Sequence, residues 1–161
     1  MHHTTNSAIK FRNNSTDNLL TNSSISFTGL LEPERGEAVY VGASSSLWID
    51  NKPDMSDRIR FVNNSFGPNV SSECVDIKEG NRNVDLVDNF INGAGVDDKN
   101  YSQTWISVKG AKRTIRNNIG TFSVIDRFAL NLHYMVFLKT RNSFFFDRQE
   151  QSKIVDAIIS S

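Results

Sequence analysis

The sequence predicts an all-β fold, a parallel β-helix built as a short solenoid of three to four coils, and three observations carry that expectation. The chain repeats itself at a spacing of a few tens of residues, and each repeat holds a short apolar and polar alternation. The alternating stretches are bounded by Gly, Asn, Ser or Asp, with none of the long 3.6-residue patterning that helical repeats need. Asparagine, with eighteen residues and N-N pairs at 13/14, 63/64 and 117/118, is used heavily enough to require a structural cause. A unit this small cannot bury its own apolar face, so neighbouring units must bury it by stacking.

Ile9-Lys-Phe-Arg-Asn-Asn-Ser15 opens a first frame, which is matched by Ile59-Arg-Phe-Val-Asn-Asn-Ser65, Val84-Asp-Leu-Val-Asp-Asn89 and Arg113-Thr-Ile-Arg-Asn-Asn118. The last asparagines, Asn14, Asn64, Asn89 and Asn118, are expected at one coil corner, where amides stacked at strand spacing, ~4.8 Å, form a hydrogen-bonded ladder. The alternative is that Asn is merely tolerated at turns. A second frame comprises Val39-Tyr-Val-Gly42, Val75-Asp-Ile-Lys78 and Ile106-Ser-Val-Lys109, which recur after 36 and then 31 residues.

Beyond Gly120 the repeat is no longer visible, so residues 1–120 are assigned to the coils and 121–161 to a divergent C-terminal cap or tail. Phe128 to Leu138 is apolar but interrupted by Asn131 and His133, and it is far shorter than the ~18 to 20 residues a membrane span requires. Asp147-Arg-Gln-Glu150 reads as an N-cap with a capping-box partner ahead of Ile154, Val155 and Ile158, which makes the tail irregular or partly helical.

Eighteen basic residues balance eighteen acidic ones, and no basic stripe is interleaved with aromatics, so nucleic acid is not expected as a partner. The glycines at 93, 95 and 110 do not form a phosphate loop. The single cysteine, Cys74, reads as a packed thiol, and His2, His3 and His133 have no metal-ligand spacing. A monomer is expected.

Four stretches, Gly36-Glu-Ala-Val-Tyr-Val-Gly42, Phe66-Gly-Pro-Asn-Val70, Glu73-Cys-Val-Asp-Ile-Lys-Glu-Gly80 and Trp105-Ile-Ser-Val-Lys-Gly110, resemble the right-handed parallel β-helix proteins of the pectate lyase-like superfamily. The likeness extends over roughly residues 5 to 120. It implies right-handed coils, an extracellular location although the chain carries no signal peptide, and an acidic polysaccharide of uronic acids cleaved by β-elimination. Some members are not catalytic, so a non-catalytic binding or adhesion protein, or an inactive truncated relative, is the alternative.

Strand parity places the candidate site. If Val75 and Ile77 point inward, Asp76 and Lys78 point outward, and stacking builds two outward columns: Tyr40, Asp76 and Ser107 in one, Gly42, Lys78 and Lys109 in the other. Adjacent ammonium groups each favour loss of the other's proton, which makes Lys78 and Lys109 the candidate bases. Tyr40, Asp76, Trp105 and Ser107 are the candidate substrate-binding residues. Glu37, Glu73 and Asp76 offer carboxylate oxygens of the kind Ca²⁺ prefers, in keeping with the calcium dependence that the resemblance implies. Ser107 stands where the resembling pattern leads one to expect Asp. The plainer reading is that the lysines pair with Asp76 and Glu79 as surface charges of little energetic weight.

Overall fold

The computed structural model describes residues 1–97, 104–121, 128–132, 145–146 and 152–159. It is mostly β, with parallel strands and only single-turn helices among the described residues. One sheet has five strands in the order β1 (Ile9–Phe11), β4 (Val39–Val41), β7 (Val75–Ile77), β10 (Thr104–Val108) and β12 (Phe128–Leu132). Between successive members the chain runs through a second, curled sheet. It passes first along β2 (Leu19–Thr21), β5 (Arg60–Val62), β8 (Arg82–Val87) or β11 (Ala111–Thr121), and then along β3 (Ser24–Ile25), β6 (Ser65–Phe66), β9 (Phe90–Asn92) or the far end of β11. Every contact between these strands is parallel and in register. This return of each coil onto the last is consistent with the expected parallel β-helix.

Register converts short alternations into a continuous core. Ile9, Val39, Val75, Ile106 and Leu130 form one column, and Phe11, Val41, Ile77 and Val108 another. Val39, Val41, Val75, Ile77, Ile106 and Val108 are fully buried, and each contributes about 1.5–3 kcal/mol of burial. Phe61 bridges the two sheets, its ring 5.8 Å from that of Phe11 and 6.5 Å from that of Phe66, both edge-to-face.

The asparagine ladder exists, with one change of member. Asn89 Nδ2 donates to Asn118 Oδ1 at 2.9 Å and Asn64 Nδ2 to Asn89 Oδ1 at 3.0 Å, and the same oxygens accept the backbone N–H of the preceding ladder residue. The amides also donate to Leu20, Phe61 and Leu86 carbonyls, so buried corner groups are satisfied from both sides. Asn14 is not a rung: it is exposed, and its Oδ1 accepts the N–H of Met55. Ser23 takes that place, its N–H donating to Asn64 Oδ1 at 3.1 Å, because Leu20 pairs with Phe61. The N-N pairs have a divided role. Asn63 and Asn117, like Asn22 and Asp88, turn the chain at φ +50 to +56, a conformation Asn and Asp tolerate, while the following residue faces inward as a rung.

One further expectation changes beyond Gly120. The parallel pairing itself continues, since Phe128–Leu132 pairs with β10 as the fifth strand of its sheet and closes a fourth coil. The terminal helix is replaced by a strand, β14 (Ser152–Ile159), antiparallel to β11 and to the short β13 (Phe145–Phe146). Ile154, Val155, Ile158 and Ile159 are β-branched, and the free edge of β11 offers them a ladder. The capping segment 147–150 lies outside the described residues.

Replacing Asn89 with Ala should lower the urea-derived unfolding free energy by about 3 kcal/mol, since it orphans buried partners on both neighbouring coils. Asn14→Ala should cost under about 1 kcal/mol. Equal costs would count against the ladder as drawn.

Candidate functional site

The outward face of the five-stranded sheet carries the candidate groups, and their positions follow from register. Lys10, Tyr40, Asp76, Ser107 and Asn131 occupy equivalent backbone positions, one per rung. One step on, the N–H groups of Gly42, Lys78 and Lys109 bond to the carbonyls of Phe11, Val41 and Ile77, which continues the register. Both expected columns are therefore present. Arg12 heads the second one, a position that the letter match of Ile9–Ser15 to Ile59–Ser65 conceals.

Glu37 and Glu73 reach this face through a break in alternation. Ala38 and Val39 are both fully buried, as are Cys74 and Val75, so the chain turns just ahead of each strand and leaves the preceding carboxylate outside. One oxygen of each of Glu37, Glu73 and Asp76 lies within 4.8 Å of the others. Glu37 is only 6% exposed and Asp76 1%. Burial, aided by the Asp76 charge, raises the pKa of both Glu37 and Glu73 against the hydrogen bonds that Ser7 and Ser72 donate to them. Ser7 is a partner that no sequence motif marked. Cys74 behind them is wholly buried, and burial pushes its thiol up to about 12.

The two lysines are not equivalent. Lys78 Nζ lies 2.5 Å from Asp76 Oδ2 and 5.1 Å from the centre of the Tyr40 ring. Burial works against its charge, but the adjacent carboxylate overcomes that and holds the pKa above the ordinary lysine value. For Lys109, burial lowers the pKa, and the Lys78 ammonium adds to burial while Asp76 offsets only part of it. One lysine is thus held as a cation, while burial and its neighbour oppose the charge of the other. Tyr40 is half-buried, and burial raises its pKa, so the phenol keeps its proton.

The substrate-binding set separates into two groups. Tyr40, Asp76 and Ser107 stand side by side, although Ser107 is 2% exposed and presents little surface. Trp105 does not join them: it is buried, and its ring lies so close to Gly120 that a Cβ there would sit 1.8 Å from it. The indole is core packing here, not a platform for a sugar ring.

No protein-family model and no curated protein matches this chain. Among solved structures it is similar to an alginate lyase from Paenibacillus sp. str. FPU-7, with 38% identity and a TM-score of 0.68. The match covers 71% of this chain, which spans 38% of the length of that protein.

Because the raised pKa of Glu37 favours its protonated form in the fold, its contribution is stabilising below the unfolded carboxyl range and is lost as pH rises through the folded value. Glu37→Gln should therefore raise the Tm by a few degrees at pH 8 and change it little at pH 4. A Tm gain at pH 4 equal to that at pH 8 would contradict a buried carboxyl whose pKa the fold raises.

Proposed function

We propose that this chain belongs to a secreted, monomeric, right-handed parallel β-helix protein of the pectate lyase-like kind, which binds an acidic polysaccharide on the outer face of the five-stranded sheet and cleaves it by β-elimination. The observation that carries the reading is the unequal lysine pair beside a carboxylate cluster. The likeness to an alginate lyase, alginate being a uronic acid polymer, supports the substrate class.

β-Elimination removes the proton α to the uronate carboxylate. The electrons of that C–H bond form a C=C bond to the neighbouring ring carbon, the C–O bond to the next sugar breaks, and the leaving oxygen takes up a proton. Lys109, whose pKa is lowered, is the base. Lys78, held charged by Asp76, lowers the cost of the negative charge that builds on the uronate carboxylate. Tyr40, with its phenolic proton retained, is a donor on the same face for the leaving oxygen.

Glu37, Glu73 and Asp76 form a donor set suited to Ca²⁺, with three oxygens close together and Asp76 Oδ1 buried without a partner. When bound, the ion would supply additional neutralisation of the uronate carboxylate. A non-catalytic glycan-binding or adhesion role is the second reading, favoured by the small exposure of Asp76 and Ser107.

With alginate or polygalacturonate, ultraviolet absorbance from the unsaturated product should rise with time, and Lys109→Met should reduce the rate by ~10² or more. The rate should climb with pH as Lys109 loses its proton, at a pH below the ordinary lysine range. Binding without product from any uronate polymer would favour the second reading. Ca²⁺ should raise the Tm of the wild type, with the gain lost in Glu73→Gln; an equal gain in both proteins would remove these carboxylates as ligands.

A further inference from the structure

A pocket of about 360 Å³ lies beside the first coil corner, between Arg12–Asn14 and the excursion of residues 43–54 that separates β4 from β5. Its two walls are tied to each other. Asp54 accepts the backbone N–H groups of Asn13 and Asn14 at 2.8 and 3.0 Å, and Asn14 Oδ1 accepts the N–H of Met55 at 2.8 Å. The Trp48 indole N–H donates to the Ala43 carbonyl at 3.0 Å, which fixes the ring. From the next coil, Gly80 comes so close that a Cβ there would lie 2.6 Å from Pro53 Cβ and 3.4 Å from the Trp48 ring. The pocket is thus preformed, as a small-molecule site requires.

Its lining sets Arg12 and Lys52 against Asp50 and Asp54, with an apolar remainder, and the unsatisfied buried donor is on Arg12. The oxygens of Asp54 are occupied by the wall, with Ser56 adding a third hydrogen bond, and Asp50 is exposed. Arg12 Nε is buried and has no hydrogen-bond partner, and Arg12 forms no ion pair among the described residues. Lys52 is exposed nearby, and the ring of Trp48 adjoins the exposed Leu47 and Ile49. A guanidinium beside an indole suits a sugar ring that carries a carboxylate: the ring stacks, and the carboxylate takes the charged donors.

Register connects the pocket to the site. Arg12 precedes Gly42, Lys78 and Lys109 in one outward column, two rungs or roughly 10 Å from Lys78 at ~4.8 Å per rung. Gly42 between them is buried, and the Asn81 amide takes the place a side chain would have there, so this rung of the column carries no charge. We propose that this pocket is a distal subsite for one uronate residue of the same polysaccharide chain, with Arg12 binding its carboxylate and Trp48 its ring. The proposal rests on the polysaccharide reading above and extends it to the length of substrate recognised.

The test is calorimetric binding of uronate oligosaccharides of two and five residues, together with a carboxyl-reduced pentamer, followed also by tryptophan emission. The wild type should bind the pentamer ~10-fold or more tightly than the dimer, with a shift in emission from Trp48 because Trp105 is buried. Arg12→Gln should erase most of that difference while leaving dimer affinity unchanged, and Trp48→Ala should do the same and remove the shift. The carboxyl-reduced pentamer should gain nothing from Arg12. If Arg12→Gln and Lys52→Gln both leave pentamer affinity unchanged while Lys109→Met weakens it, the subsite is overturned and the polysaccharide site stands. If no uronate oligomer binds the wild type at millimolar concentration, both fall.

Discussion

Parallel, in-register hydrogen bonding between coils is the constraint on which the rest of this structure depends. Each rung lies ~4.8 Å from the next, so whatever a coil carries at a given position is set directly against the same position of its neighbours. Val and Ile columns close the core in this way, and the amides of Asn64, Asn89 and Asn118 hydrogen-bond in series at the corner. An apolar residue at the corner would leave backbone groups of two coils without partners, and a charged one would stack like charges in the interior.

The same constraint creates the electrostatic conditions of the candidate site. Stacking brings Glu37 against Glu73, with Asp76 close by, in a place where little water reaches them. Burial raises the pKa of both glutamates, and the hydroxyls of Ser7 and Ser72 and the ammonium of Lys78, bonded to Asp76, offset part of the crowding. Asp76 holds Lys78 while burial and the Lys78 ammonium oppose the charge of Lys109, so a simple like-charge column becomes an electrostatically unequal pair. The asymmetry arises from which lysine touches Asp76, not from any difference in residue type.

Much of this was legible in the sequence because parallel, in-register stacking is a local code. The alternations at Val39 to Gly42, Val75 to Lys78 and Ile106 to Lys109 predicted both the buried columns and the outward neighbours Tyr40, Asp76 and Ser107, and the structure aligns them residue for residue. The error in the first coil had a specific origin. Ile9 to Ser15 copies Ile59 to Ser65 in letters but pairs with Val39 to Val41 in space, and the true counterpart of Asn63-Asn64 is Asn22-Ser23. That substitution moved Asn14 off the ladder and concealed Arg12 at the head of the cation column.

The sequence by itself determined the strand period, the Asn corner and the inward or outward sense of most strand residues, because alternation and turn propensity act over a few neighbours. Only the tertiary structure decided how deeply the outward residues are covered, which lysine Asp76 holds, that Trp105 fills the core, and that Ser152–Ile159 is a strand and not a helix. Those outcomes depend on a partner distant in the chain, whether Gly120 beneath an indole or the free edge of β11, and no pattern within a segment encodes what will be placed against it.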